Sequence, residues 1–372
     1  MNKSRNPNTK ICSVINVREG FAFAFTLTSA LNPGHIPMRT FLVTCLLLVA
    51  RGVFAAEPTF DHGAVGGVIE ENDLVVETDR HYTQGIKLFY FHADNFLPLG
   101  SKAISETIPT IGFESIVAKF GYTIGQSIYT PGDITNRMLQ AKDRPYAGWL
   151  YIGAVLQRRG WSFGRKLTQE EFSVDAGVIG EWSLAEEAQT WVHESRNLDI
   201  PAGWRHELKN EPGLRFKYSR AVRLFEREAE GFGFDVTPHL GTSLGNVDTS
   251  LRAGGMVRVG YNLPDDFTFR TIDSVGTPSG GASVSNAICW SAYVFAGFEG
   301  RTALYNETLD GSLWHESHSV QRRWLVGDTY LGFAVILRKH CEVGYTHTFR
   351  SPEFRGQKEH DSFGAVYGAW RF

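Results

Sequence analysis

Polar side chains with the potential for hydrolytic chemistry occur at three places along the chain. The first place holds Asn72, Asp73 and Thr83, which supply an amide, a carboxylate and a hydroxyl. Oxygen atoms of these kinds are the ligands that calcium prefers, and a bound cation can polarise an ester carbonyl. The pattern also has a structural explanation, because an Asn-Asp pair often opens a turn by bonding its own backbone.

The second and third places lie farther along the chain. Arg137 and the Asp143-Arg144 pair form the second, and arginine suits phosphate because its planar guanidinium bonds two oxygens at once. Gln189 and His193 form the third, and their spacing of four residues places them on one face of a helix. Histidine beside a water molecule is the usual general base near neutral pH. Each residue also has a structural alternative, as an exposed helix histidine, a solvated loop charge or an ion pair.

The elements that must position these residues are segments of alternating apolar and polar residues. We expect strands near residues 64–72, 82–92, 115–130, 147–160, 166–180, 215–228, 232–246, 251–263, 291–306, 323–338, 340–350 and 361–372. An even number of antiparallel strands is typical of bacterial outer-membrane barrels. The sequence therefore predicts an all-β fold, a transmembrane antiparallel β-barrel of about twelve strands, with a soluble all-β protein as the alternative.

The order of the strands predicts where the polar residues meet. If the first strand starts in the periplasm, every connection after an odd-numbered strand is extracellular. Residues 73–81, 131–146 and 181–213 are connections of this kind, so we expect the active site at the extracellular rim. Residues 264–290 would form a periplasmic connection of unusual length, unless they contain a further pair of strands.

One short helix is expected in the third of these extracellular loops. Ser183 and Glu186 fit a capping box, with the serine as N-cap and the glutamate three residues later. The following residues, 187–194, contain neither glycine nor proline. A long ordered loop within a compact fold is usually functional.

The two ends of the chain indicate export and membrane assembly. Residues 38–56 combine a charged start, a short apolar core and a small-residue cleavage site, which is the pattern of a signal peptide. Residues 1–37 would be an upstream extension, which is not translated if Met38 is the start of the protein. Residues 57–372 would form the barrel. The last strand ends on the aromatic Phe372, as expected for a partner of the barrel-assembly machinery. 

Two further features limit the possible partners and cross-links. The formal charge of −3 gives no reason to expect a nucleic-acid partner. Cys289 and Cys341 would remain after cleavage of the leader, and the sequence leaves open whether they form a disulfide.

Six sequence blocks that include the candidate residues occur in a characteristic order. They are Glu71-Asn72-Asp73, Tyr82-Thr83-x-Gly85, Ile128-Tyr129-Thr130-Pro131, Asp143-Arg144-Pro145-Tyr146-Ala147-Gly148-Trp149, Gln189-x-x-x-His193 and Gly203-Trp204 through Gly213. In this combination the chain resembles the outer-membrane lipid A 3-O-deacylase family from about Val68 to Phe372. The resemblance implies a twelve-stranded barrel in the outer membrane of a Gram-negative bacterium. It also implies calcium-dependent hydrolysis of an ester-linked acyl chain of lipid A, at the 3′ position, with lipopolysaccharide as the substrate.

The resemblance also implies a role for each candidate residue. His193, Asp73 and Asn72 would be catalytic, with His193 activating water; Asn72, Asp73 and Thr83 would hold Ca²⁺; and Arg137, Gln189, Thr83 and Arg144 would contact the substrate. Asn136 and Pro201 stand where family members have lysine and tyrosine. Two other functions stay open: a non-catalytic barrel that acts as a porin or scaffold, and an outer-membrane phospholipase.

Overall fold

The structure of the chain, a computed structural model, describes residues 63–73, 80–94, 96–98, 100–267, 271–272, 290–338 and 340–372. The predicted signal peptide at 38–56, the extension at 1–37 and Cys289 lie outside these residues. A disulfide between Cys289 and Cys341, which the sequence leaves open, also falls outside them because Cys289 does.

The described chain forms a closed antiparallel barrel. Its strands are β1 (Val65–Asn72), β2 (His81–Phe91), β3 (Phe113–Thr130), β4 (Ala147–Ser162), β5 (Lys166–Ile179), β6 (Glu211–Val222), β7 (Phe225–Ala229), β8 (Phe232–Gly245), β9 (Asp248–Tyr261), β10 (Trp290–Asn306), β11 (Leu325–Leu337), β12 (Cys341–Arg350) and β13 (Asp361–Arg371). Strand β1 pairs with β13 and closes the wall. Because β6 and β7 both pair with β8, they are two parts of one wall strand. The predicted twelve-stranded barrel is confirmed.

Each strand divides its side chains between an outer and an inner face, as the pleat of a strand requires. In β2 the outward side chains Ile86, Leu88 and Tyr90 are exposed, whereas Lys87 and Phe89 between them are buried. An apolar outer face around a polar, filled interior is the pattern of a barrel that meets lipid. Among the described residues, no helix is long and apolar enough to span a bilayer.

The described residues Asp266 and Ile272 of the long connection at 264–290 lie inside the barrel. Strands β9 and β10 pair directly with each other, so the connection is not an additional pair of wall strands. Near the periplasmic end, Asp266 is ion-paired with Arg258 inside the wall. Near the opposite end, the Ile272 backbone N–H donates to Glu71 Oε1 at 2.7 Å. Asp266 therefore lies in the lumen near the periplasmic end of the barrel, and Ile272 lies in the lumen near the extracellular end.

The short helix expected in the third extracellular loop is present as α2 (Ala185–Arg196). The described residues also contain α1 (Ser101–Thr107) and α3 (Glu307–Asp310), which the sequence pattern did not indicate. The predicted serine cap of α2 is wrong. Ser183 ends a 3₁₀ turn, and the N-cap of α2 is Leu184, which has a left-handed backbone (φ 58°) and no side-chain cap bond.

Candidate active site between the barrel wall and helix α2

Helix α2 begins against the outer face of the barrel wall. Gly148 lies on the same face of β4 as Ile152, which is exposed on the outside of the barrel. A Cβ atom at Gly148 would lie 1.8 Å from Ser183 Oγ and 2.4 Å from Ala185 Cβ. On the neighbouring strand β3, Gln126 Nε2 donates to the Ser183 carbonyl at 2.7 Å. The absence of a side chain at Gly148 thus allows the helix to lie directly on the wall.

The wall-facing side of α2 carries the predicted catalytic histidine. Ala185, Gln189 and His193 are spaced four residues apart and are all buried, so they form one stripe along the helix. Gln189 Oε1 accepts a hydrogen bond from Trp204 Nε1 at 2.9 Å. His193 Nδ1 lies 2.5 Å from the Asp199 carbonyl. Since a carbonyl can only accept, Nδ1 carries the proton of the neutral ring, and Nε2 is the nitrogen that can act as a base.

The end of α2 explains how the Asp199 carbonyl reaches the histidine. Asn197 has a left-handed backbone (φ 54°) at the C-cap, and the Leu198 N–H donates to the His193 carbonyl at 2.9 Å. This reversal sends the chain back along the helix, as glycine or asparagine commonly does after a last helical turn. The backbone after the helix therefore fixes the orientation of the imidazole.

The segment after α2 is held by the loop between β3 and β4. The Ala202 N–H donates to the Ile134 carbonyl at 2.8 Å, and Tyr146 Oη donates to the same carbonyl at 3.2 Å. The Tyr146 ring also packs on Trp204, with ring centroids 4.8 Å apart. Through Trp204 this contact supports Gln189, one turn before His193.

Asn72, Asp73 and Thr83 lie together where β1 ends and β2 begins. Asn72 pairs with Gln84 across the two strands, and the Asp73 N–H donates to the Thr83 carbonyl at 3.3 Å. Asp73 Oδ2 accepts from the Arg80 N–H at 2.7 Å, and the carboxylate is almost fully buried. The turn and the candidate site thus use the same residues.

A β-bulge directs Thr83 to the outer face of the wall. The register of β2 with β3 shifts between Tyr82 and Gln84, which leaves Thr83 as the additional residue. Thr83 Oγ1 lies 2.7 Å from Thr130 Oγ1. Thr130 is two residues from Ile128, and Ile128 packs in one cluster with Ala185 and Trp204. The structure therefore brings Thr83 and helix α2 to the same outer surface.

The loop of Arg137 borders this surface from the extracellular side. Arg137 is exposed, and its carbonyl lies 3.3 Å from His206 Nε2. Asn136, where family members have lysine, uses its side-chain oxygen to accept from the Met138 N–H at 2.9 Å. Pro201, where tyrosine occurs, is buried after the helix.

The structure separates Arg144 from the other predicted site residues. Its guanidinium donates to Glu353 Oε2 at 3.2 Å and to Thr308 Oγ1 at 2.8 Å. It also lies 4.5 Å from the centroid of the Tyr129 ring. Tyr129 faces the lumen, opposite to Ile128 on the same strand, so Arg144 lies in the barrel mouth and not beside α2.

The sequence interpretation did not include a histidine network in that mouth. His81, which has a left-handed backbone (φ 65°), binds Asp361 through Nδ1 at 2.6 Å and Asp143 through Nε2 at 3.4 Å. Burial raises the pKa of Asp143, but hydrogen bonds from His81 and from the Gly132 N–H outweigh it, so this pKa lies below its usual value. The network ties the loop after β3 to the start of β2.

Carboxyl groups accumulate at the start of α2, where Glu181, Glu186 and Glu187 lie near Glu207. Burial and the nearby carboxylate of Glu186 raise the pKa of Glu207 to about 8. Glu207 is therefore largely neutral at pH 7, which limits the negative charge next to the helix.

The donor set around Asn72 fits a calcium ion in chemical type. Asp73 offers a buried carboxylate, Asn72 an amide oxygen and Thr83 a hydroxyl, all hard ligands. Within the described ranges, no group of three or more histidine, cysteine, aspartate or glutamate side chains is arranged to hold a metal ion. A calcium ion here would depend on amide, hydroxyl, carbonyl or water oxygens in addition to Asp73.

The closed wall with its apolar outer face defines the class of the protein as a multi-pass outer-membrane β-barrel. A family model described as "Outer membrane protein LpxR" matches residues 41–372, and the chain belongs to this family. This confirms the resemblance to the lipid A deacylases seen in the sequence.

One solved structure agrees with this assignment at the level of the fold. LpxR from Salmonella typhimurium matches with a TM-score of 0.63 at 20% sequence identity, over 83% of this chain and 100% of that one. The β domain of the Bordetella autotransporter BrkA matches with a TM-score of 0.39 at 8% identity, over 84% of this chain and 99% of that one. A search of curated proteins found no match.

Proposed function

We propose that this barrel is an esterase that hydrolyses an ester-linked acyl chain of lipid A, at the 3′ position. The observation that carries the proposal is the location of His193, which is buried on the same stripe of α2 as Ala185, the residue that packs on the outer face of the wall. The outer face of a membrane barrel meets the acyl chains of the surrounding lipid. A lipid ester can therefore reach the histidine without entering the lumen.

The orientation of His193 supports a role as general base. Its Nε2 takes a proton from a water molecule whose oxygen attacks the ester carbonyl carbon. The Asp199 carbonyl accepts from Nδ1 throughout and stabilises the imidazolium that forms. When the ester C–O bond breaks, the same proton passes to the sugar oxygen, and the acyl chain leaves as a carboxylic acid.

Calcium is part of the proposal, with Asn72, Asp73 and Thr83 as the residues that would hold it. A bound cation would supply electrostatic stabilisation of the negative charge on the ester oxygen. We assign Arg137 to a lipid A phosphate because it is exposed beside the site. We assign Arg144 a structural role instead, since Glu353 and Thr308 occupy its guanidinium.

The test is the loss of deacylation in the variant His193→Ala, measured by mass spectrometry of lipid A from cells that produce the barrel. Removal of a general base typically costs about 10²–10⁴-fold in rate. His315, an exposed loop histidine, provides the matched control His315→Ala. Unimpaired deacylation by a correctly assembled His193→Ala barrel would refute the assignment. Release of fatty acid from phospholipids with lipid A unchanged would identify a phospholipase instead.

The metal requires a separate measurement. Chelation of divalent cations and the variant Asp73→Asn should each abolish deacylation, and calcium should restore it after chelation only when Asp73 is present. Full activity after chelation would show that the reaction proceeds without a divalent cation.

A further inference from the structure

We propose that the extracellular rim beside β11 is a second lipid-binding surface, which holds the phosphorylated headgroup of a lipopolysaccharide molecule in the outer leaflet. The surface, here called the rim patch, consists of Arg322, Arg323, Trp324, Leu325 and Arg355. These residues line an open cavity of about 500 Å³.

Arg323 and Arg355 supply the charge of the rim patch. Both side chains are exposed, and within the described part of the chain neither guanidinium forms an ion pair. The Arg323 N–H donates to the Glu353 carbonyl and the Arg355 N–H to the Gln321 carbonyl, both at 2.7 Å. These two backbone bonds place the arginines on adjacent segments. Neighbouring guanidinium groups suit a phosphate because each can bond two of its oxygens.

Arg322 is a positioning residue within the rim patch. Its Nη1 donates to Asp310 Oδ1 at 2.5 Å, and its other nitrogens donate to the carbonyls of Ala303 and Leu304. Its guanidinium carbon lies 5.8 Å from the centroid of the Trp324 ring. Arg322 therefore fixes the tryptophan at the rim and leaves Arg323 and Arg355 to contact a ligand.

The height of the rim patch matches the level of lipid headgroups. The outward side chains of β11 include Leu331, Phe333 and, near the periplasmic end, Leu337. Twelve residue steps separate Leu337 from Leu325. At about 3.3 Å per residue and a tilt of about 40°, this distance is roughly 30 Å along the membrane normal, against an apolar band of about 25 Å. Leu325 thus lies at the outer edge of the apolar band, with the arginines just beyond it.

The combination of charged and apolar groups selects a lipid over a free anion. Trp324 is 66% exposed and Leu325 is 70% exposed, directly beside the two arginines. Tryptophan is enriched at membrane interfaces, where its ring meets the acyl region and its N–H meets the headgroups. Free phosphate would use only the arginines, whereas a phosphorylated glycolipid of the outer leaflet would use the whole rim patch.

The rim patch is distinct from the candidate active site. Strand β11 is five strands from β3 around the wall, in the order β3, β2, β1, β13, β12, β11. A barrel without esterase activity would keep this surface, so the proposal goes beyond the proposed function.

The test uses the full barrel in detergent with His193→Ala as background, so that bound lipid is not hydrolysed. Native mass spectrometry would count molecules of bisphosphorylated lipid A bound to each barrel. We expect the double variant Arg323→Ala/Arg355→Ala to bind one molecule fewer than the barrel with the intact rim patch, because its affinity for the lipid at the rim falls about tenfold or more. The control Lys102→Ala/Lys166→Ala removes two exposed cations at the periplasmic end and should bind as many as the intact barrel.

Two further comparisons make the result specific. The double variant Arg323→Lys/Arg355→Lys keeps the charge but loses the bidentate geometry, so we expect intermediate affinity from it and correct folding. Lipid A from which both phosphates have been removed should bind equally to the intact and the Ala-substituted rim. Equal binding of bisphosphorylated lipid A to the intact and both substituted rims would overturn the proposal. Equally tight binding of inorganic phosphate at the arginines would overturn the assignment to a lipid.

Discussion

Gly148 provides a sharp test of whether the contact between wall and helix α2 controls the chemistry. The variant Gly148→Ala adds one methyl group on the outer face of β4, directly under the start of the helix. That methyl carbon would lie 1.8 Å from Ser183 Oγ and 2.4 Å from Ala185 Cβ. The Ser183 hydroxyl can rotate away, but the Ala185 Cβ cannot move unless the helix moves.

The required displacement sets the expected effect on rate. Ordinary contact between carbon atoms begins near 3.4 Å, so the start of α2 must shift by about 1 Å or more. His193 lies eight residues later on the same helix and would move relative to Asn72, Asp73 and Thr83. A misplacement of about 1 Å can cost on the order of 10²-fold in rate. We therefore expect Gly148→Ala to lower deacylation by roughly that factor, and to leave the barrel folded.

The assay compares lipid A deacylation per folded barrel, with folding followed by heat-modifiable migration in gels. Gly66→Ala is the matched control, because Gly66 is on the outer face of β1 and its added Cβ would meet no atom closer than 3.7 Å. We expect wild-type activity from this control. If Gly148→Ala retained activity within about threefold of the control, the position of α2 would not govern the reaction, and the expected loss of roughly 10²-fold in rate would be refuted.

Three further perturbations test the surroundings of the site. Asn197→Val should lower lipid A deacylation, because a β-branched residue resists the left-handed backbone at this position. That backbone conformation brings the Asp199 carbonyl to His193. Asn197→Gly, which adopts the same conformation without strain, should be nearly neutral in the same assay. Burial and a hydrogen bond with Glu211 raise the pKa of Glu307 in α3 to about 9. The unfolded carboxyl ionises near pH 4.5, so between about pH 5 and 9 the folded protein holds a proton that the unfolded chain has lost. The free energy of unfolding of the wild type should therefore fall as pH rises through this range, as measured by urea unfolding at several pH values. The variant Glu307→Gln should not show this loss. Arg144→Ala should destabilise the barrel by about 1–3 kcal/mol in urea unfolding, because Glu353 and Thr308 each lose a buried hydrogen bond while Glu353 keeps Arg301 as an ion-pair partner. Activity per folded barrel should stay unchanged, and a selective loss of activity would indicate contact with substrate.

The wall was predictable because its signal is repeated in every strand. The predicted segments at 64–72 and 340–350 agree with β1 and β12 to within one residue. The expected sixth strand at 215–228 is interrupted in the structure at Arg223, whose side chain turns to Asp235 and Asp265. Periodicity cannot show such an interruption, because it depends on carboxylates that come from elsewhere in the chain.

The helices were harder to predict because tertiary contacts decide them. The serine at 183 had the sequence of an N-cap, but it is buried between Gly148 and the helix and does not cap. Helix α1 has no side-chain cap, and its neighbouring carbonyls at Ser105, Ile108 and Pro109 are held by Arg158. A local pattern could not reveal that partner, which lies about fifty residues away in the chain.

Strand order placed the candidate residues at the correct rim but did not say on which side of the wall they lie. That choice depends on the bulge at Thr83, which directs the hydroxyl outward, and on the missing side chain at Gly148. Arg144 shows the converse, since it follows β3 as Arg137 does yet turns into the barrel mouth to Glu353. A one-residue change of register reverses the face of a side chain, so neighbouring residues of one loop can serve opposite sides of the wall.

The outer position of the site determines how a substrate must arrive. The buried stripe of α2 faces the wall, and the outward tryptophans Trp182 and Trp191 are 67% and 70% exposed. From Gly148, the outer face of β4 continues with the exposed Ile152 into the lipid-facing band. Under the proposed function, a lipid that diffuses within the outer leaflet would reach His193 sideways, with its ester at the height of the helix. Entry through the lumen would instead require passage of the network around His81 and of the connection that reaches Glu71, so the fold favours the lateral route.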